Sequence, residues 1–434
     1  MKRVYLDHAA ATPMDVRVRE AMEPFFSEYF GNPSSIYTSG REVKFALKDA
    51  RERIAQILSC KSDEIIFTSG GTESDALALF GVLGTYGGSL ISSAAEHHAV
   101  LYNAETLAKG GHTVTNVPMH ENGEIDYDAL PKLLTDDVSL VSLMYANNEI
   151  GTITDLPRIA KMIKATRKDR LARKVEMPIY LHTDACQAAG QISINVTELG
   201  VDLMTLNGSK VYGPKGIGLL YARKGIKLTP LWKGGGQERR IRSGTENVPG
   251  IIGFARALEL AEELRAEEFV RLIELRDKLT RGIFERIPKV VLNGPAHESG
   301  QKNGGHPTKR LPNNVNVSIL DIEGEALLLY LDAAGIEAST GSACDSETLD
   351  PSHVILATGK PYEFAHASMR FTLGRSTTQE EIDYVLEILP ECVRKLRVIS
   401  PVVVDIDAKH MSHASVFAGE GLPHWERKKG TKLL

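Results

Sequence analysis

Residues 202–222 read "DLMTLNGSKVYGPKGIGLLYA", two short apolar runs joined by a polar, glycine-punctuated tip. Each run has the length of a strand buried on both faces. The tip carries Lys210 among Gly208, Gly213, Pro214 and Gly216. Working outward, the same kind of run recurs as "EIIFTSG" (64–70), "SLISSA" (89–94), "VSLMYA" (141–146) and "PIYLHTDA" (178–185). Helical stretches with 3.6-residue apolar spacing, such as "REVKFALKDARERIAQIL" (41–58), alternate with them from about Arg17 to Leu231. Strand alternating with helix predicts crossover connections and a large, mostly parallel sheet with helices on both faces, an α/β architecture. Ligands of such sheets bind beyond the carboxyl ends of the strands. The polar tips are therefore where chemistry is expected.

After "GTENVPG" (244–250) the pattern changes to a long charged helix, roughly Val248 to Ile287. Strand candidates "VVLNG" (290–294), "NNVNVSIL" (313–320) and "ASMRFTLG" (367–374) follow, with helices over 323–335 and 378–397. This predicts a smaller α+β domain. The expected division is a large domain over 14–255 and a small domain built from 1–13 and 256–396. A loop at about 339–350 and a divergent tail over 397–434 complete the chain, and 296–313 reads as an exposed loop.

Composition excludes several classes. With 434 residues, 42% hydrophobic and 25% charged, the chain is ordinary for a soluble protein of more than one core. A net charge of −5 with mixed signs leaves no electrostatic footprint for nucleic acid. The longest apolar runs, "IIGFA" and "ALLLYL", fall far short of a bilayer span, so no membrane association is expected. Asp7 and His8 interrupt the start too early for a secretory segment. Four cysteines without a CxxC pair argue against a disulfide framework or a cysteine-rich zinc site, and a reducing cytoplasm is the expected location.

Several tips carry candidate chemistry. "IFTSGGTESDALALFG" (66–81) is a strand, a glycine turn and a helix, with Gly71 and Thr72 at the helix start. Free N–H groups there suit an anion such as phosphate, although a plain N-cap reads equally well. Asp184 ends a buried strand, with Gln187 three residues on. A carboxylate there needs a cation or donors, and a protonated pyridine nitrogen is one such partner; a helix-capping aspartate is the simpler alternative. Lys210, held in a tight and partly desolvated tip, has the setting of an amine that forms a Schiff base, whereas Lys215 reads as a turn residue. His97 and His98 are adjacent and point apart, so no metal site is expected. "STGSACDSETL" (339–349) places Cys344 among small polar residues that could hardly pack a core.

Together these stretches resemble the cysteine desulfurases, fold-type I pyridoxal-phosphate enzymes of the class V aminotransferase group. The resemblance is carried by "YLDHAAATP", "FGNPSS", "FTSGGTESDALA", "EHHAVL", "NNEIG", "TDACQ", "GSKVYGPKGIG", "GGGQERRIRSGT", "STGSACDS" and "SMRFTLGR", in family order from Tyr5 to Arg375. It implies pyridoxal 5'-phosphate held as a Schiff base on Lys210, with Asp184 on the pyridine N–H and Gln187 on the phenolic oxygen. It places Gly71 and Thr72 at the phosphate, and Thr245 at the phosphate of a partner subunit's cofactor, hence a homodimer. Ser209 and Asn207 stand where the family usually has His and Ser or Thr, and both can still bond a phosphate oxygen. His97 would stack on the ring and help move protons. Asn148 and Arg370 would bind the substrate, Arg370 through a bidentate carboxylate pair.

The resemblance further implies that Cys344 is the nucleophile that takes sulfur from L-cysteine, leaving alanine and a protein persulfide. "STGSAC" fits the long-loop, group I type. A sulfur-acceptor protein, either an Fe–S scaffold or a tRNA-thiolation relay, is the implied partner. Departures are Ala11 in place of a family threonine, longer loops near 167–175 and 297–310, and a tail after Pro401 unlike the family's docking tail. The alternatives are a selenocysteine lyase, a small aminotransferase, and a non-catalytic scaffold of the same fold.

Overall fold

The structure, a computed structural model, describes residues 3–296, 309–340 and 351–400. Cys344, most of the 296–313 stretch and the tail beyond Ser400 lie outside the described residues. The strands are β1 (Val4–Tyr5), β2 (Ile65–Thr68), β3 (Ser89–Ser93), β4 (Val114–Val117), β5 (Val138–Ser142) and β6 (Tyr180–Asp184). They continue as β7 (Leu203–Asn207), β8 (Gly218–Ala222), β9 (Val290–Leu292), β10 (Asn314–Ile319), β11 (Ile336–Glu337) and β12 (Ser368–Thr372). The longer helices are α1 (Thr38–Leu58), α2 (Gly71–Tyr86), α3 (His98–Lys109), α4 (Leu156–Ala172), α5 (Val248–Arg286), α6 (Gly324–Ala333) and α7 (Gln379–Ile399).

Seven strands form one sheet in the order β2-β8-β7-β6-β5-β3-β4. Alternate residues of its inner strands go to opposite faces, and both faces are apolar. Leu140, Leu203 and Leu220 pack with Leu77, Leu79 and Val82 of α2. Their neighbours Val141, Met204 and Leu219 pack on the other side with Ile54 of α1, Ile159 of α4 and Phe254 of α5. Continuous apolar strands are the signature of a sheet covered on both faces.

One strand breaks the parallel rule. β8 runs antiparallel to both β7 and β2, while the other pairs of this sheet are parallel. A parallel return needs a crossover of a dozen or more residues. Residues 208–217 are too few and too tightly folded: a Cβ on Gly208 would lie 2.7 Å from the Pro214 carbonyl oxygen. The chain therefore doubles back and leaves Lys210 on the hairpin tip. β5 also starts earlier than its sequence suggests. The ladder nevertheless continues through the expected stretch, with Leu143 N–H on the His182 carbonyl at 3.1 Å and Tyr145 N–H on the Asp184 carbonyl at 2.9 Å.

A second core gathers Leu279 and Ile283 of α5, Val315 and Val317 of β10, Met369 and Phe371 of β12, and Leu386 and Leu389 of α7. Val4 and Leu6 from the amino terminus also pack there. β9 and β12 flank β10 antiparallel, and β1 pairs parallel with β11. Helix α5 runs through both cores, its first half against the large sheet and its second against the small one. No helix among the described residues is long and apolar enough to cross a membrane.

Pro390 sits inside α7. Lacking an N–H, it cannot bond the carbonyl four residues back, that of Leu386. Arg286 at the end of α5 supplies the missing donor, its Nη1 lying 2.6 Å from the Leu386 oxygen. Arg286→Ala should therefore strand a half-buried carbonyl and lower stability by about 1–3 kcal/mol in urea unfolding. The same substitution in Pro390→Ala, where the helix supplies its own N–H, should cost measurably less.

Candidate active site

The tips that follow β2, β3, β5, β6 and β7 converge on one site. Lys210 closes a 3-10 turn after β7, in which Asn207 Oδ1 accepts the Ser209 N–H at 3.2 Å. Its ammonium is half-buried and donates to two carbonyl oxygens, Ala9 at 2.8 Å and Ala10 at 2.6 Å. Gln187 shares the first of these, donating Nε2–H to Ala9 at 2.9 Å. Asp184 ends β6 with its carboxylate buried, Oδ1 accepting the Cys186 N–H at 2.9 Å. His97 is near enough for the negative charge of Asp184 to raise its pKa and the positive charge of Lys210 to lower it.

His97 is also the N-cap of α3, its Nδ1 accepting the Ala99 N–H at 3.1 Å. Burial is the largest influence on its ring and pushes its pKa down, so the ring is neutral at neutral pH. With Nδ1 committed as an acceptor, the proton sits on Nε2. The ring thus presents a donor, and taking a second proton would break the cap.

A cavity of about 360 Å³ opens at the start of α2, lined by Ser69, Gly71, Thr72, Asn207, Ser209 and Lys215 among others. Gly70 precedes the helix without a side-chain cap, so the first amides are left for another acceptor. A Cβ on Gly71 would lie 3.0 Å from Cys186 Sγ, which explains glycine at this point. Lys215, read from the sequence as a turn residue, lines this cavity and adds a cation to it. It is an exposed residue of a bend, as the sequence suggests. Ala11, which replaces a family threonine, also lines the cavity. Thr245 is exposed and does not line it.

At the opposite end Arg370 is buried on β12. Its Nη1 donates to the Asn148 main-chain carbonyl at 3.1 Å and its Nη2 to Asp7 Oδ1 at 2.8 Å. Its Nε and the Asn148 Oδ1 are buried without partners. The guanidinium fork is thus partly taken, by an aspartate that sequence reasoning did not single out.

Beneath the site lie groups that sequence reasoning also missed. His182 is two residues before Asp184, on the same face of β6. It bonds Ser142 Oγ at 2.8 Å and Thr205 Oγ1 at 3.1 Å, with Asp75 Oδ1 at 3.6 Å. Burial pushes its pKa down to about 3. Burial, reinforced by the charge of Asp184, pushes the Asp75 and Glu96 carboxyls well up. The i, i+2 spacing of His182 and Asp184 was the available clue.

The three cysteines among the described residues share one property. Burial raises the Cys60 thiol to about 12 and pushes up those of Cys186 and Cys392 as well. Among the described residues, no group of three His, Cys, Asp or Glu side chains is placed to hold a metal ion.

The aminotransferase class-V family model matches residues 4–385. Cysteine desulfurase IscS of Dictyoglomus turgidum is 50% identical over 405 residues, 92% of this chain and 97% of that protein. The chain belongs to the class-V aminotransferases, among the cysteine desulfurases. A solved NifS-like protein superimposes with a TM-score of 0.81 at 36% identity, over 91% of this chain and 100% of that one. A structure described as SspA in complex with cysteine gives 0.69 at 30% identity, over 85% and 98%.

This family works with pyridoxal phosphate, and the residues present fit that group. A phosphate suits the uncapped amides of α2 and the Lys215 ammonium, and a pyridinium suits the buried Asp184 carboxylate. Both ends of the site thus provide the charge complement that the cofactor requires.

The neutral His182 makes a prediction about acid stability. Its ring takes a proton near 6.5 when unfolded but only near 3 in the folded chain. Its contribution is therefore full above the unfolded value and is lost as pH falls towards the folded one. Urea midpoints of the wild type should fall more steeply between about pH 6.5 and pH 3 than those of His182→Gln.

Proposed function

We propose that the chain removes sulfur from L-cysteine with bound pyridoxal phosphate, releasing L-alanine and carrying the sulfur as a persulfide on Cys344. The observation that carries this reading is the identity of half the chain with a cysteine desulfurase, supported by a cavity at the uncapped α2 start that Ala10, Asn207 and Ser209 line, Ala10 being the residue whose carbonyl accepts the Lys210 ammonium. The cofactor would supply an electron sink for the pair released at the substrate's α-carbon.

The chain's own groups do the rest. Lys210 would anchor the cofactor, and its amine would take and return the α-proton. Asp184 would hold the proton of the ring nitrogen, and Gln187 would bond the phenolic oxygen on turning from Ala9. Gly71, Thr72, Asn207, Ser209 and Lys215 would hold the phosphate. Arg370 Nε and Asn148 Oδ1, both unpartnered, would bind the substrate's carboxylate and ammonium ends. His97 Nε2–H would donate to the substrate or cofactor.

Sulfur transfer then needs a thiolate. Cys60, Cys186 and Cys392 are held as thiols by burial, which favours Cys344 by chemistry as well as by motif. The thiolate forms the S–S bond as the substrate's C–S bond breaks. The electron pair of that bond goes to the β-carbon, which then gains a proton to complete alanine.

We also propose a homodimer that operates in the cytoplasm. Thr245 is exposed, and so are Phe26, Phe30, Ile36, Tyr37 and Phe45, a set of large apolar side chains that a monomer would not ordinarily leave in water. The division at 14–255 is proposed with its boundary moved along α5, to between Ala261 and Leu272, where the two cores part. The acceptor is proposed to be an Fe–S scaffold or a tRNA-thiolation relay protein.

Purified, cofactor-loaded protein should convert L-cysteine to equal amounts of L-alanine and sulfide in the presence of a thiol reductant. Intact mass spectrometry before reduction should find one added sulfur on Cys344. Lys210→Ala should lose at least the ~10²–10⁴-fold contributed by a positioned acid–base group. Full sulfur release by Cys344→Ala would remove that residue from the mechanism, and turnover of selenocysteine alone would make the protein a lyase of that substrate.

A further inference from the structure

Arg370 is engaged in an unusual way for a group that awaits a carboxylate. Its Nη2 lies 2.8 Å from Asp7 Oδ1, an ion pair whose side chains are only 5% and 18% exposed. Its Nη1 is spent on the Asn148 carbonyl, so Nε is the nitrogen left buried without a partner. Asp7 is firmly placed. Its carbonyl accepts the Tyr5 hydroxyl at 3.0 Å. The next two residues bond Thr372, His8 N–H to the carbonyl at 3.2 Å and Ala9 N–H to Oγ1 at 2.9 Å. The carboxylate is therefore a fixed negative charge at the substrate end of the site.

We propose that Asp7 is a specificity-determining residue: by half-neutralising Arg370 it admits amino acids with an uncharged side chain and rejects those carrying a second anionic group. The inference rests on Arg370 being the partner of the substrate's α-carboxylate. That carboxylate and Asp7 together outweigh the single guanidinium. A side-chain carboxylate or sulfinate would add a third negative charge to the same cation, and like charges at short range in a poorly screened site repel strongly. L-Cysteine, whose thiol is mostly neutral at neutral pH, meets no such charge.

The test is binding rather than turnover. Isothermal titration calorimetry of the holoenzyme is run with L-aspartate and L-asparagine, which have the same shape and differ by one charge. In the wild type L-aspartate should bind at least ~10-fold more weakly, the scale of one like-charge contact in a partly screened site. Equal affinities overturn the proposal without any variant. Asp7→Asn should bring the two affinities within about threefold of each other, whereas Asp7→Glu, which keeps the charge, should preserve the gap. An unchanged gap in Asp7→Asn also overturns the proposal. Arg370→Gln separates the underlying reading: it should weaken L-alanine and L-asparagine alike, and undiminished binding would refute Arg370 as the carboxylate partner whatever Asp7 does.

Discussion

Six residues at the amino terminus, Asp7 to Thr12, tie the molecule together. Their main chain bonds Thr372 of the small sheet on one side and, through Thr12, both its N–H and its hydroxyl, the Ser209 carbonyl on the other. The Ala9 and Ala10 carbonyls receive Lys210 and Gln187, and the Asp7 carboxylate receives Arg370. A buried carbonyl without a donor costs free energy, and a buried ammonium without acceptors costs more. The segment and the Lys210 amine thus satisfy each other. Substituting either would loosen the joint between the two cores.

The same satisfaction of polar groups shapes the floor of the site. Asp75, Glu96 and His182 are buried near Asp184, where four charges could not be sustained. Burial keeps the imidazole neutral and pushes two of the carboxyls towards their neutral form. Asp75 and Glu96 then add little charge beside Asp184.

Much of this was legible in the chain. Buried strands announce themselves because both faces must be apolar, and residues such as Lys210 and Asp184 stand out where those runs end. The antiparallel course of β8 was not legible, because direction depends on whether residues 208–217 can hold a crossover, which is a matter of tip geometry. Lys215 is the exposed bend residue that its sequence suggests, and what the sequence did not show is the cavity beside it. A lysine between Pro and Gly reads as a solvated turn, which it is, and only the hairpin lays that turn beside the α2 start.

The sequence by itself determined the alternation of strand and helix, the residue types at the strand ends and the family, since each depends on local pattern or on identity along the chain. Tertiary structure alone decided which groups meet. The pairing of Asp7 with Arg370 spans most of the chain, and the donor that Pro390 lacks comes from another helix. Whether His97 offers a proton or a lone pair turns on a single cap bond to Ala99. Such facts follow from packing, where each buried polar group must find a partner among residues that no local pattern brings together.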